Sequence, residues 1–328
     1  MVCSSNKPTS TCSSSLLFKG VNAISEDLLL NVVEANFKTF FDWAFLNLGA
    51  WFDATIDEYT IYSSGFSPAT LLPVVDEAYE DGQVWQGMRK DWVWETGCFM
   101  DDSAPIEISG LYINNTYYPH SSSGDYFIDY PNGRVVFDTA IDTSSSVELN
   151  HSYRNIQIYR ASDSPWFSTL QFNSYNPGDL DLQRSEDGNW SIDGIHRVQL
   201  PAIVIEPISR SQSRPFEIGS RSLIVQQDIG FYVLAETKNE RNKLLDILRL
   251  QQDLTMKLYD TNSLAQSGEY PLDYRGDINL SGVMYPDMVQ NYYWRKCEIK
   301  SVNLFEIESI NPEFHQGLAR ATIEIISN

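Results

Sequence analysis

The chain has 328 residues, 42% of them hydrophobic and 13% aromatic, and its 23 basic against 44 acidic residues leave a formal net charge of −21. That balance excludes a conventional nucleic-acid-binding surface, which needs clustered cations to displace counterions. It still allows a surface past which DNA slides without sticking, and otherwise it means solubility. The length predicts two domains, or one domain carrying a large insertion, and the aromatic content favours β-rich structure.

Residues 1–16 are polar and Ser/Thr-rich, too poor in apolar surface to order alone, and are expected to form a flexible arm. The N-terminus lacks a basic region followed by an apolar one, so no signal peptide is expected, and the Asn-X-Ser/Thr triplets read as chance matches. Cys3, Cys12, Cys98 and Cys297 are scattered without a CxxC pair and read as free thiols of a reducing compartment.

Residues 17–50 are expected to hold one long apolar helix packed on a C-terminal body. Ser25 is its predicted cap, with Glu26 and Asp27 in the first turn, and Gly49 is its stop. Leu29, Val33, Phe37, Phe40, Ala44 and Leu48 form a helical stripe, while Phe41, Trp43 and Phe45 add apolar area beside it. Such a helix must bury more than one face, under a second layer or against a neighbouring subunit. In the second case Phe37, Phe41 and Phe45 are partner contacts. Asn31, Glu34, Asn36, Lys38 and Asp42 exclude it as a membrane span.

Residues 51–196 change character and predict a β-rich insertion, sandwich- or barrel-like. Extended stretches are expected at 59–62 and 85–94. A hairpin is expected around Asn114-Asn115, and another, the clearest in the chain, turns at Pro131-Asn132-Gly133 with Asn-Gly supplying positive backbone angles. A long strand is predicted over 147–160 and another through 166–172, with turns at Asp187-Gly188 and Asp193-Gly194.

Residues 197–328 predict an α+β body with a mostly antiparallel sheet flanked by helices. A short Ile/Val strand spans 202–206, followed by a polar connector at 209–215. Leu223, Val225, Ile229, Phe231, Val233 and Ala235 then alternate on one strand face, interrupted only by Gln227. Thr237 and Glu240 have the spacing of a capping box, and Leu244, Leu245, Ile247 and Leu248 give the buried stripe of the helix that follows. Strands are expected from 254, from 297 to 308, and over 319–325, with a turn-rich stretch at 264–291.

No catalytic or cofactor signature accompanies this architecture. His120, His151, His196 and His315 lack zinc-ligand spacing, and there is no nucleophile elbow, phosphate loop or dinucleotide fingerprint. Asp101, Asp102, Asp125, Asp129 and Asp138 could act on a glycan, and Trp85, Trp92 and Trp94 could stack on sugar rings. Asp179, Asp181, Glu186, Asp187 and Asn189 suggest calcium but miss the loop pattern, so turns are the better reading.

Two stretches carry a family resemblance. Residues 111–160, with YINNTYYP, DYFIDYPNGRVVFDTAID and VELNHSYRNIQIY, resemble a segment of tailed-bacteriophage virion proteins. Residues 201–260, with PAIVIEP, RPFEIGSRSLIVQQDIGFYVLAETKNERNKLLDIL and TMKLYD, are similar to phage neck and tail-terminator proteins. The β-rich segment exceeds what a minimal terminator carries. The resemblance implies a non-enzymatic subunit without cofactor, forming a ring, a hexamer in that family, where tail meets head in the virion. Its partners would be neck, tail-tube or sheath proteins, with DNA passing through unbound and no membrane. Arg241 and Lys243, on the capped helix, are then expected to be exposed partner contacts. The alternatives are a glycan-binding or decorating tail component and a glycan-degrading tail enzyme.

Overall fold

The computed structural model describes residues 21, 23–56, 67–95, 97–120, 124–173, 182–185, 188–192, 196–215, 223–307 and 311–327. The expected arm at 1–16, the stretch at 59–62 and most of the calcium-like residues lie outside them.

Helix α1 (Leu29–Leu46) starts four residues after the predicted cap, at an N-cap Leu28 with no side-chain bond. The cause is a tether: the Asp27 backbone N–H donates to Asn262 Oδ1 at 2.8 Å, and Asn262 Nδ2 donates back to the Asp27 carbonyl at 2.9 Å. Those bonds hold the approach outside the helix. Gly49, at φ +76°, turns the chain out at the other end.

Seven short strands follow the first β segment, β1 (Trp51–Ala54): β2 (Thr70–Pro73), β3 (Val84–Gln86), β4 (Gly110–Ile113), β5 (Thr116–Pro119), β6 (Tyr126–Asp129), β7 (Arg134–Phe137) and β8 (Val147–Glu148). Strands β2 to β8 form one curled sheet in the order β5-β4-β8-β2-β3-β7-β6, in keeping with the barrel-like expectation. Asn114 and Asn115, at φ 48° and 64°, turn β4 into β5 as expected. The β6–β7 turn differs in detail. It is a four-residue loop, 130–133, in which Gly133 alone takes positive φ, and a Cβ there would meet the Arg89 carbonyl at 2.4 Å.

The long strand expected over 147–160 is three strands in three sheets. β8 closes the curled sheet, β9 (His151–Arg154) pairs with β1, and β10 (Gln157–Arg160) runs parallel to the body's first strand. Asn150 and Asn155 mark the breaks: Asn150 Oδ1 accepts from the Ile56 N–H at 2.8 Å, and the Asn155 N–H donates to the Ala50 carbonyl at 2.9 Å. The strand expected at 166–172 is instead helix α2 (Pro165–Asn173). Pro165 suits a first helical turn, and Trp166, Phe167 and Leu170 are buried at helical spacing. A three-stranded sheet follows: β11 (Leu182–Arg184), β12 (Trp190–Ile192) and β13 (His196–Val198).

The body holds β14 (Ala202–Pro215), β15 (Leu223–Ala235), α3 (Lys238–Arg249), β16 (Thr255–Tyr259), α4 (Thr261–Ser267), α5 (Asp287–Asn291), β17 (Tyr293–Glu306) and β18 (His315–Ser327). Its sheet runs β10-β14-β15-β18-β17-β16, antiparallel except where β10 joins, so the fold is α+β as expected. The sheet therefore begins with residues 157–160, inside the segment assigned to the insertion. The polar stretch at 209–215 is not a connector. It continues β14, paired to β15 as far as Pro215 opposite Leu223, with a register shift between Ile208 and Ser211. Residues 211–215 are exposed, so pairing there needs no apolar side chains.

One sheet face lies under α1 and α3. Ile203, Ile205, Ile229, Phe231, Val233, Ala321 and Ile323 pack there with Phe37, Phe41, Phe45, Leu244 and Leu248. The opposite face is covered near β10 by α2 and the three-stranded sheet, through Val204, Leu234, Trp166, Phe167 and Trp190. No described helix is long and apolar enough to cross a membrane.

Candidate functional site

The side chains expected to meet a partner are mostly spent inside the chain. Phe37, Phe41 and Phe45 are 0%, 3% and 3% exposed. Phe37 and Phe41 lie 6.1 and 5.0 Å, ring to ring, from Phe231 of β15. The apolar stripe of α1 buries its surface on the chain's own sheet, and these three are not partner contacts. Arg241 is also corrected. It is 7% exposed, and its guanidinium donates to Asn242 Oδ1 at 2.8 Å, Glu306 Oε1 at 3.2 Å and the Gln316 carbonyl at 3.3 Å, fastening α3 to β17 and β18. Lys243 is exposed, as expected.

The surface left to a partner is at the sheet's margins. β10 covers β14 only along 202–205, so 206–215 has no described strand on that side. β16 covers β17 only along 293–298, leaving 301–306 without a described strand on its outer side. The first margin carries Pro207, Arg214 and Pro215, residues that blunt a sheet edge. The second carries Leu304 and Phe305, both exposed. These free stretches lie on opposite sides of one sheet and toward opposite ends of it.

A cleft of about 590 Å³ runs beside α1, with Glu34, Lys38, Asp42, Trp94, Glu95 and Tyr285 among its lining. Behind it sits Arg154 of β9, 4% exposed. Its Nε donates to Asp42 Oδ1 at 2.8 Å, its NH2 group to Glu95 at 2.6 Å, and its NH1 group to the Trp92 carbonyl at 2.7 Å. Lys38 Nζ reaches the other Asp42 oxygen at 3.1 Å. Burial pushes the Asp42 carboxyl upward, but Arg154 and Lys38 together more than reverse this and hold it below the usual range. At Glu95 burial wins, because Arg154 is shared and the Asp42 charge opposes a second anion, so its pKa is raised. Both carboxylates are committed to one guanidinium, and the cluster clasps α1 to β9 and the segment at 92–95.

The glycan candidates are not gathered. Trp85 and Trp92 are 1% and 0% exposed, with indole N–H groups bonded to the Gly82 and Arg89 carbonyls at 2.9 Å. Trp94 lines the cleft, but its ring holds the Arg154 guanidinium at 4.1 Å and the Lys38 ammonium at 5.4 Å. Asp129 binds Asn132 Nδ2 at 2.7 Å in the β6–β7 turn, and burial raises its pKa. Asp125 and Asp138 are exposed at the open end of that hairpin, and Asp101 and Asp102 are exposed in a separate loop.

The histidines are dispersed as well. His120 lies 3.3 Å from Asp277, His151 is buried beside Trp92 at 4.4 Å, and His196 and His315 sit on β13 and β18. Among the described residues no three His, Cys, Asp or Glu gather as a metal set. Burial pushes the Cys98 and Cys297 thiols up to about 12, which leaves them protonated and unreactive at neutral pH. Sequence reasoning passed over the residues around Lys90, a basic group flanked by tryptophans rather than by any motif.

No protein-family model matches the chain, and no curated protein matches it in sequence.

Proposed function

We propose that this chain is a non-enzymatic virion structural subunit that closes into a ring at a phage head–tail junction, joining tail to head while DNA passes through. The observation that carries the reading is the pair of unpaired margins, 206–215 of β14 and 301–306 of β17, on opposite sides of one sheet. Pro207 and Pro215 blunt the first margin at its two ends, but the backbone of 208–214 between them has no described strand on its outer side, and joining that stretch to 301–306 of a neighbour is strand addition between copies. Because the two margins differ, the contact is heterologous, and a heterologous contact closes into a ring when its rotation divides the circle. Exposed Leu304 and Phe305 supply apolar area at that contact. The net charge of −21 suits a passage for DNA, since like charge keeps the duplex from sticking. The resemblance of residues 201–260 to neck and tail-terminator proteins favours a ring between tail and head, and a hexamer is the number it implies.

The test is the mass of the purified protein by light scattering, alone and mixed with tail tubes. A closed oligomer is expected, reduced to single chains by Phe305→Lys without loss of folded signal. A wild-type protein that is monomeric at every concentration and joins neither tubes nor heads would overturn the reading.

A further inference from the structure

A second cleft, of about 320 Å³, opens where β3, β7, α2 and β13 meet, and its lining has a charge opposite to that of the chain. Lys90, Arg134, His196 and Arg197 converge on it; Arg134 is paired with Asp76 at 3.1 Å and Arg197 donates to the Met88 carbonyl, while Asp163, the one acid among its described lining residues, is held by Arg160 Nε at 2.7 Å. On a chain with nearly twice as many acids as bases, such an island needs a physical reason.

The Lys90 side chain is only 16% exposed, yet the nearest carboxylate oxygen, on Asp91, is 4.0 Å away, beyond hydrogen-bond reach. That carboxylate already accepts from the Tyr159 hydroxyl at 3.0 Å. The ammonium otherwise has the Tyr159 ring, centred 5.0 Å off. Ser164, 3% exposed, also lines the cleft, and its hydroxyl makes no hydrogen bond to any described residue. Both groups open onto the cleft and keep donor capacity that no described acceptor takes up, which is what a site for an incoming oxyanion needs. Burial, and after it the charge of Arg197, lower the Lys90 pKa against the pull of Asp91, as expected for a cation waiting for an anion.

We infer that this cleft is an oxyanion site that takes a phosphate group, with Lys90 and Ser164 as its donors and Arg197 and His196 completing the field. A tetrahedral oxyanion would give Lys90 and Ser164 the acceptors they lack, through charge-assisted bonds. The source of the phosphate is either the free anion or a nucleic-acid backbone. The inference does not depend on ring formation.

The experiment is calorimetric titration of the full chain with inorganic phosphate at low salt and neutral pH, alongside NMR of the Lys90 ammonium and His196 ring signals. Saturable binding of one phosphate per chain is expected, with both signals moving along the same curve. Lys90→Met should weaken binding about tenfold or more, the share of one bond to a charged donor. Because it removes a buried charge without a hydrogen-bond acceptor, it should leave the unfolding midpoint unchanged or raised. A short oligothymidylate that displaces the phosphate would assign the anion to nucleic acid, and failure to displace it assigns the free ion. Absence of saturable binding with unmoved Lys90 and His196 signals overturns the inference. So does a Lys90→Met protein that is destabilised while binding phosphate as tightly as before.

Discussion

The six-stranded sheet and the curled seven-stranded sheet are specified in different ways. In the first, four strands of 13 or 14 residues lie side by side over a largely aliphatic core, and register follows from the alternation of Val, Ile and Ala against α1 and α3. In the second, no strand exceeds 4 residues, and the core is built on Trp85, Trp92, Tyr126, Tyr130 and Phe137. Strands that short cannot hold register by periodicity. They are fixed by turns and by side chains bonded to backbone, locally where Trp85 donates to the Gly82 carbonyl and over a long span where Asp277 accepts from the Ile128 N–H at 3.2 Å. Stability in the first region is spread over many equivalent contacts. In the second it rests on a few polar anchors, and the joint between the regions rests on Arg154.

The largest expected effect therefore belongs to that joint. Arg154→Met leaves Asp42 and Glu95 buried around a lost cation, which should cost about 3–5 kcal/mol. Denaturant unfolding followed by both tryptophan fluorescence and far-ultraviolet circular dichroism checks this. If the two regions are one cooperative unit, both curves shift together. Two separated transitions in the wild type would show the clasp to be dispensable.

Next comes acid sensitivity seated in the aromatic region. His151 is fully buried beside Trp92, its Nδ1–H donating to the Leu149 carbonyl at 3.2 Å, and burial pushes its pKa from 6.5 down to about 4. Below about 6.5 the unfolded chain takes a proton that the folded chain refuses until about 4. Stability should thus fall by about 3 kcal/mol as pH drops across that window. Glu95, whose pKa is raised, works the other way, contributing stability as it protonates. Comparing unfolding midpoints of wild type and His151→Gln from pH 7 to 4 isolates the histidine. Equal pH slopes in the two proteins would remove His151 as an anchor.

The same contrast decides what could be read from the sequence. Alternation over 223–235, the Thr237–Glu240 cap and the two closing strands were all legible, because each pattern is local and repeats along one element. The run at 147–160 also alternates, but alternation names a face and not a neighbour. Nothing in it says that β8, β9 and β10 serve three sheets. Residues 209–215 hid a strand because a solvated face carries no apolar signal. Phe37, Phe41 and Phe45 announced burial correctly, but an apolar helical stripe is the same whether it meets its own sheet or a second subunit. Arg241 was misplaced because the acceptors that draw it inward, Glu306 and the Gln316 carbonyl, are 65 and 75 residues away. The basic cleft is assembled from separate segments near residues 90, 134, 164 and 197, a convergence that exists only after folding.

The smallest effect sharpens the picture of distributed stability in the six-stranded region. The exposed Thr237 hydroxyl accepts from the Glu240 N–H at 3.2 Å and so satisfies one orphan donor at the start of α3. Thr237→Ala removes that bond and little else, and should cost about 1 kcal/mol, while Thr237→Ser should restore most of it. Because α3 also buries Leu244, Leu245 and Leu248 on the sheet, packing would hold the helix in place, and only the denaturant midpoint should move, with its slope unchanged. A loss approaching that of Arg154→Met, or a changed slope, would mean that α3 hangs on its cap. The contrast between a distributed sheet and an anchored one would then fail at this helix.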